Sequence, residues 1–147
     1  MGDDQVNLGL LCFFPYRAME TRVMAAATAA GFDDITLAQA RIFQRIGPAG
    51  TRVSDLAEQA RVAKQTATFL VDQLERAGYV ERVPDPTDAR ARLVKIAARG
   101  EEAVALARRV EAEVEAEWAQ HLGRRATAQL REALTRLREI TDPYQGT

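Results

Sequence analysis

The chain has 147 residues, with 20 Lys and Arg against 21 Asp and Glu, a formal net charge of -1, 47% hydrophobic residues, one Cys and one His. That length suits a single domain with a real core, and one Cys excludes a disulfide framework within the chain and argues against a zinc site of thiolate and imidazole ligands, so the expectation is a reducing, cytoplasmic setting with no metal and no cofactor. No stretch approaches the roughly 20 apolar residues of a membrane span, and MGDDQVNLGLLCFF has acids where a secretory signal needs bases; near-neutral charge leaves any nucleic-acid function to local placement of Lys and Arg.

Residues from about Gln5 to Ala30 read as one long helix, with Leu8, Leu11, Cys12, Met19, Val23 and Ala27 at three- and four-residue steps. Pro15 removes a helical donor and is expected to bend or restart that helix near Phe14, and Gly31 ends it. Thr36 to Gln39 spells T-L-A-Q, a capping box that opens a short helix reaching Ile46. Gly47, Pro48 and Gly50 break it, and VSDLAEQA follows as a second short helix with Val53, Leu56, Ala57 and Ala60 inward.

After a tight connection at Arg61 and Val62, AKQTATFLVDQLERAG is a longer helix that buries Ala67, Leu70, Val71, Leu74 and Ala77 and closes at Gly78. The period then changes. YVERV and ARLVKI alternate like strands around PDPTDAR, which predicts a β-hairpin with a long charged tip. From about Arg99 to Leu122 the pattern is helical again, with Val104, Ala107, Val110, Val114, Trp118 and Leu122 in a narrow seam. Gly123 stops it, and a last helix carries Ala126, Leu130, Leu134, Leu137 and Ile140 up to Pro143.

Helix, short turn, helix and charged hairpin is the order of a winged helix-turn-helix, whose second helix enters the DNA major groove while the hairpin reaches flanking backbone. Lys64, Gln65, Thr66, Thr68, Gln73 and Arg76 lie on or beside the face left over once the apolar stripe is buried, and these side chains bond base edges or phosphates. The hairpin carries Asp88, Arg90 and Arg92 as D-A-R-A-R. Alternate strand residues share a face, so one arginine is expected to reach a phosphate or the minor groove and the other to turn back to Asp88. The bland alternative is a solvated turn of surface charges.

The run RVSDLAEQARVAKQTATFLVDQLERAGYVERVPDPTDARARLVKI resembles the winged-helix core of the multiple antibiotic resistance regulator (MarR) family, and the flanking helices match that family's layout over nearly the whole chain. The resemblance implies a mainly α fold with a small β-hairpin wing. Residues 34–97 would form the DNA-binding lobe, and 5–31 and 99–142 the dimerisation helices of one 1–147 chain. It implies a bacterial, homodimeric transcription regulator, most simply a repressor on double-stranded DNA with a near-palindromic operator, reading with Ala63 to Ala77 and placing Asp88, Arg90 and Arg92 at the family's wing signature.

Three departures stand out. Arg61 takes a turn position where relatives use Gly, at about 1 kcal/mol if the backbone stays left-handed, and Ala63 replaces a capping Ser or Thr at a similar cost. Phe69 replaces an Arg on the exposed side of the reading helix; it either touches thymine methyls or packs on the wing or a neighbouring helix.

The seam through Val110, Val114 and Trp118 reads as a contact for a partner helix, the alternative being the core of a monomeric bundle. The resemblance implies a small phenolic or lipophilic effector between the dimer and DNA-binding lobes, with Phe13, Phe14, Tyr16, Arg17 and Phe43 as pocket candidates; aromatics at such spacing are also ordinary core. Cys12 in L-C-F-F-P-Y is similar to the peroxide-reactive segment of organic hydroperoxide regulators, but ITLAQARIF supplies no tyrosine to activate a thiolate, so a buried, inert Cys is expected. His121 reads as a cap or surface residue. A winged-helix protein-interaction module is the competing class. An enzyme is the weakest reading, because G-x-S-x-G, P-loop and dinucleotide motifs are all missing.

Overall fold

A computed structural model describes residues 5–144. Six helices and one hairpin follow in the order α1 (Leu8–Ala29), α2 (Leu37–Phe43), α3 (Val53–Ala60), α4 (Lys64–Arg76), β1 (Val80–Asp85), β2 (Asp88–Ile96), α5 (Ala98–Leu122) and α6 (Arg124–Thr141). This is the mainly α winged-helix architecture that the sequence predicts.

Asn7 sets the start of α1, its side-chain Oδ1 accepting from the Leu10 amide at 2.8 Å. The restart expected near Phe14 does not occur. The helix runs through Pro15, and because α1 is exposed along this stretch, a carbonyl that loses its amide donor meets water instead of an apolar interior. The capping box forms as read: the Gln39 amide donates to Thr36 Oγ1 at 3.2 Å, and the Thr36 amide donates to Gln39 Oε1 at 2.9 Å. Arg61 ends α3 in the left-handed region at φ 56 and ψ 46, and Ala63 opens α4 without a side-chain cap, so both local costs are present.

Leu56, Ala67, Val71 and Leu74 are buried between α2, α3 and α4, with Ile42 and Phe43 closing the core from α2 and Val80 and Val94 from the hairpin. The hairpin is tighter than expected. Its ladder pairs Val80 with Ile96 and continues to Asp85 opposite Asp88, leaving Pro86 and Thr87 as the turn, with a register shift at Pro84 and Asp85. Thr51 adds a bridge on the other side of β2: its amide donates to the Val94 carbonyl at 2.9 Å and its carbonyl accepts from the Val94 amide at 2.8 Å.

Tyr79, where α4 passes into β1, is fully buried. Its hydroxyl donates to Asp34 Oδ1 at 2.5 Å, and its carbonyl accepts from the Ala97 amide at 2.9 Å. Arg99, in the first turn of α5, lies 4.4 Å above the Tyr79 ring, donates to Asp34 at 2.8 and 3.1 Å and to the Ala77 carbonyl at 2.7 Å. Burial, reinforced by the Asp34 bond, pushes the Tyr79 phenol up to about 12, whereas the Arg99 guanidinium and then the Tyr79 hydroxyl hold the Asp34 carboxyl below its ordinary range.

The expected seam is covered from within at its centre, while Trp118 stays half-buried. Val110 and Val114 are already buried where α5 packs against α1 and α6, so they are not the surface offered to a partner. Exposed apolar side chains gather instead on α1, among them Leu8, Leu11 and Phe14, and on α6, with Leu130, Leu134, Leu137 and Ile140; Leu122 at the end of α5 is exposed as well.

Gly100 makes the junction of α5 with Tyr79 possible, because a Cβ there would stand 2.2 Å from the Tyr79 carbonyl oxygen and 2.8 Å from Ile96 Cγ2. Gly100→Ala should therefore destabilise the fold by about 1–3 kcal/mol, read as a lower denaturant midpoint at unchanged slope. An unchanged midpoint would show that the approach relaxes at no cost.

Candidate nucleic-acid interface

Helix α4 buries one face and presents the other. Lys64, Gln65 and Thr66 in its first turn are exposed, and the Ala63 cap leaves the first-turn amides without a side-chain acceptor, which suits an oxyanion. Thr68 is half-buried, and its hydroxyl donates to the Lys64 carbonyl at 3.0 Å. Phe69 is 59% exposed, so the alternative that it packs against the wing or a neighbouring helix is not what the structure shows. Gln65, Phe69, Asp72 and Arg76 recur at helical spacing and form one outward stripe.

Gln73 departs from the recognition role expected of it. Its Oε1 accepts from Gln39 Nε2 at 2.9 Å, so it ties the α2 cap, including the buried Gln39, to the middle of α4. The position lies beside the apolar stripe, and burial of Gln39 draws its amide inward.

The wing is held to the helices by two arginines that sequence reasoning missed. Arg52, at the N-cap of α3, donates through Nε and Nη2 to Asp85 Oδ2 at 2.9 and 2.7 Å, and its Nη2 stands 3.7 Å from Asp88 Oδ2. The other oxygen of Asp85 accepts from the Thr87 amide at 2.8 Å and the Thr87 hydroxyl at 2.7 Å, which closes the turn. The Thr87 hydroxyl and amide, with Arg52, hold the Asp85 carboxyl down to about 2. Arg82, on β1, donates to Asp72 and Glu75 of α4 at 2.7 Å each.

Asp88 works differently from the reading of D-A-R-A-R. Its Oδ1 accepts from the backbone amide of Arg90 at 3.0 Å, and neither Arg90 nor Arg92 turns its guanidinium back to it. Arg92 Nη2 leans instead on the Arg82 carbonyl at 3.4 Å. Asp88 thus shapes the strand that carries the arginines, because a two-residue turn leaves its carboxylate beside Arg52 and the Arg90 amide. The turn at PDPTDAR was visible in the sequence; the Arg52 and Arg82 partners were not, since they join positions 33 and 10 residues apart.

Asp72 and Glu75 share Arg82, and Asp85 and Asp88 share Arg52, whereas Lys64, Arg76 and Arg90 pair with no carboxylate among the described residues. Across α4, the hairpin and Arg52, seven Lys and Arg stand against five Asp and Glu, so a chain of net charge -1 presents a locally basic surface there.

A crevice lies between α1, α2 and α5. Tyr16 and Phe43 line it as expected; Phe13, Phe14 and Arg17 do not, because they fall on other faces of α1. Phe32, Met19, Met24 and Glu111 line it as well, and these were missed because they come together only when α5 crosses α1. Cys12 is exposed on α1, contrary to the burial expected of it, since nothing else among the described residues covers that face. His121 sits exposed in the last turn of α5. Among the described residues no helix is long and apolar enough to cross a membrane.

Asp85 yields a test with a definite sign. Its folded-state pKa lies below the ordinary 3.8, so the stability it contributes is complete above that value and disappears as pH falls through about 2. The Asp85 carboxyl carbon should titrate by NMR near 2, and Arg52→Ala should raise that midpoint. A midpoint near 4 in the unmodified chain would mean that the carboxylate is not held as the geometry shows.

Comparison with known proteins places this architecture among known regulators. A model described as MarR family matches residues 33–91. An uncharacterised helix-turn-helix-type transcriptional regulator of Bacillus subtilis, YcgE, is 37% identical over 79 residues, covering 51% of this chain and 50% of that protein. The chain spans half or less of the length of the curated relatives it matches. Among solved structures, MarR superposes with a TM-score of 0.74 at 26% identity over 92% of this chain and 98% of the other. A structure of the multiple antibiotic resistance repressor MarR superposes with a TM-score of 0.70 at 25% identity over 90% and 95%.

Proposed function

We propose that this chain, whose residues 33–91 match a model described as MarR family and whose fold superposes on MarR, is a member of that family: a bacterial, cytoplasmic, sequence-specific DNA-binding transcriptional regulator, a homodimeric repressor on a near-palindromic operator, and not an enzyme. The observation that carries the reading is the basic surface itself: among the described residues Lys64, Arg76 and Arg90 pair with no carboxylate, while Arg52 and Arg82 hold the nearby acids two to each guanidinium. The first turn of α4, with Lys64, Gln65, Thr66 and Thr68, reads base edges and phosphates; Phe69 supplies apolar contact to thymine methyls; Arg90 and Arg92 reach the flanking backbone. The name of the multiple antibiotic resistance repressor MarR supports the sign of regulation, and the regulator name of YcgE supports the class.

Dimerisation is supported by the exposed apolar residues of α1 and α6. A two-fold pair of such chains sets two reading helices roughly 34–36 Å apart, one turn of DNA. The crevice between α1, α2 and α5 is the effector site, where a small lipophilic molecule shifts the lobes and releases DNA.

The reading is tested by fluorescence anisotropy with the upstream intergenic duplex and a scrambled control at two salt concentrations. Preference for the native duplex by about 10³-fold or more is the expected result. No binding at either salt would move the winged helix to the protein-interaction class. Arg90→Ala should weaken binding to both duplexes and reduce the salt slope by about 1 for each wing that loses its phosphate contact; unchanged affinity and slope would remove the wing from recognition. Leu134→Glu, on the exposed face of α6, should give monomers in sedimentation velocity and lower operator affinity about 100-fold or more through loss of the linked second half-site. A dimer of undiminished affinity would place the subunit contact elsewhere.

A further inference from the structure

The crevice between α1, α2 and α5 combines an aromatic lining with one uncompensated carboxylate. Tyr16, Phe32 and Phe43 contribute the rings. Three ionisable side chains of fixed charge at neutral pH also line it: Glu20, Arg41 and Glu111. Two of them cancel. Arg41 donates through Nε and Nη2 to the Glu20 carboxylate at 3.1 and 3.2 Å, and the Tyr16 hydroxyl donates to the same carboxylate at 3.3 Å while accepting from Gln44 Nε2 at 3.2 Å. Glu111 remains. It is half-buried on α5 and has no hydrogen-bond or ion-pair partner among the described residues.

We propose that this crevice binds a lipophilic cation, an aromatic or alkyl ammonium whose charge rests against Glu111 and whose hydrocarbon lies among Tyr16, Phe32 and Phe43. The inference rests on the effector-site reading and narrows its chemistry. Ring faces carry negative electrostatic potential, so aromatics beside a carboxylate favour a poorly hydrated cation twice over, through the quadrupole and through charge. An anion meets Glu111 with the same sign of charge in a crevice where Arg41 is already occupied by Glu20. A neutral hydrocarbon of equal shape desolvates Glu111 and gives nothing in return. Occupancy has a route to the DNA-binding lobe, because Phe32 and Phe43 both pack on the Tyr79 ring, with centroids 6.2 and 6.3 Å away, and Tyr79 joins α4 to β1.

The chain has three methionines, and two of them, Met19 and Met24, line the crevice, so ¹³C-methyl methionine NMR reads occupancy directly and without DNA. The probes are benzyltrimethylammonium, its uncharged isostere neopentylbenzene, and benzoate. The expected result is saturable movement of both methyls with the cation, at least about ten-fold tighter than with either other probe, and a loss of about ten-fold in cation affinity in Glu111→Gln with neopentylbenzene unaffected. Benzoate binding as tightly as the cation, methyls that do not respond to the cation, or an unchanged cation affinity in Glu111→Gln would each overturn the proposal. Should that variant fail to fold, the order of the three probes on the unmodified chain decides alone. Operator binding of the unmodified chain, measured in parallel without ligand, separates the two readings: retained DNA binding beside a failed cation titration sinks the ligand assignment and leaves the regulator standing.

Discussion

A buried phenol that must be satisfied organises the molecule. Tyr79 sits without solvent exposure at the passage from α4 to β1, and its hydroxyl finds Asp34 from the loop before α2. That carboxylate in turn holds Arg99 of α5, which covers the Tyr79 ring and bonds the Ala77 carbonyl at the end of α4. One hydroxyl, one carboxylate and one guanidinium thus join the reading helix, the wing and the long helix of the outer layer. Gly100 lets the backbone of α5 approach close enough for this to happen. A rearrangement of the outer helices that displaces Arg99 removes the donor shared by the Asp34 carboxylate and the Ala77 carbonyl and uncovers the Tyr79 ring, so the lobe is mechanically coupled to α5 at this point.

The recognition surface shows how a protein of near-zero net charge assembles a local positive field. Four acids close to α4 and the wing meet arginines that do not themselves lead the surface: Arg52 holds Asp85 and stands near Asp88, and Arg82 holds Asp72 and Glu75. The pairs of Arg82 with the half-buried Asp72 and the exposed Glu75 serve placement more than stability, whereas Asp85 is buried beside Arg52. They fix the angle of the wing relative to α4, and a probe held at a fixed angle loses less freedom on binding.

The helices, the capping box and the reading surface were legible because each depends on residues close in sequence. T-L-A-Q closes on itself within four residues, and the stripe through Ala67, Leu70, Val71 and Leu74 needs only helical geometry. Errors fell where a residue's role depends on a distant partner. Gln73 looked free on the helix surface and is taken by Gln39; the D-A-R-A-R run looked self-contained, yet Asp88 bonds a backbone amide and leans toward Arg52. Val110 and Val114 looked available to a partner, and α5 spends them against its own neighbours.

By itself the sequence determined the order of elements, the apolar faces, the change of period that marks the wing and the family resemblance carried by the central run, because periodicity, caps and turn chemistry act over a few residues. Only the tertiary structure decided which charges are neutralised and which remain to meet a ligand. The lone Glu111 in an aromatic crevice and the unpaired Lys64, Arg76 and Arg90 were invisible in the chain, because a charge is spare only when every neighbour in space has been counted, and those neighbours come from α1, α2, α3 and β1 alike.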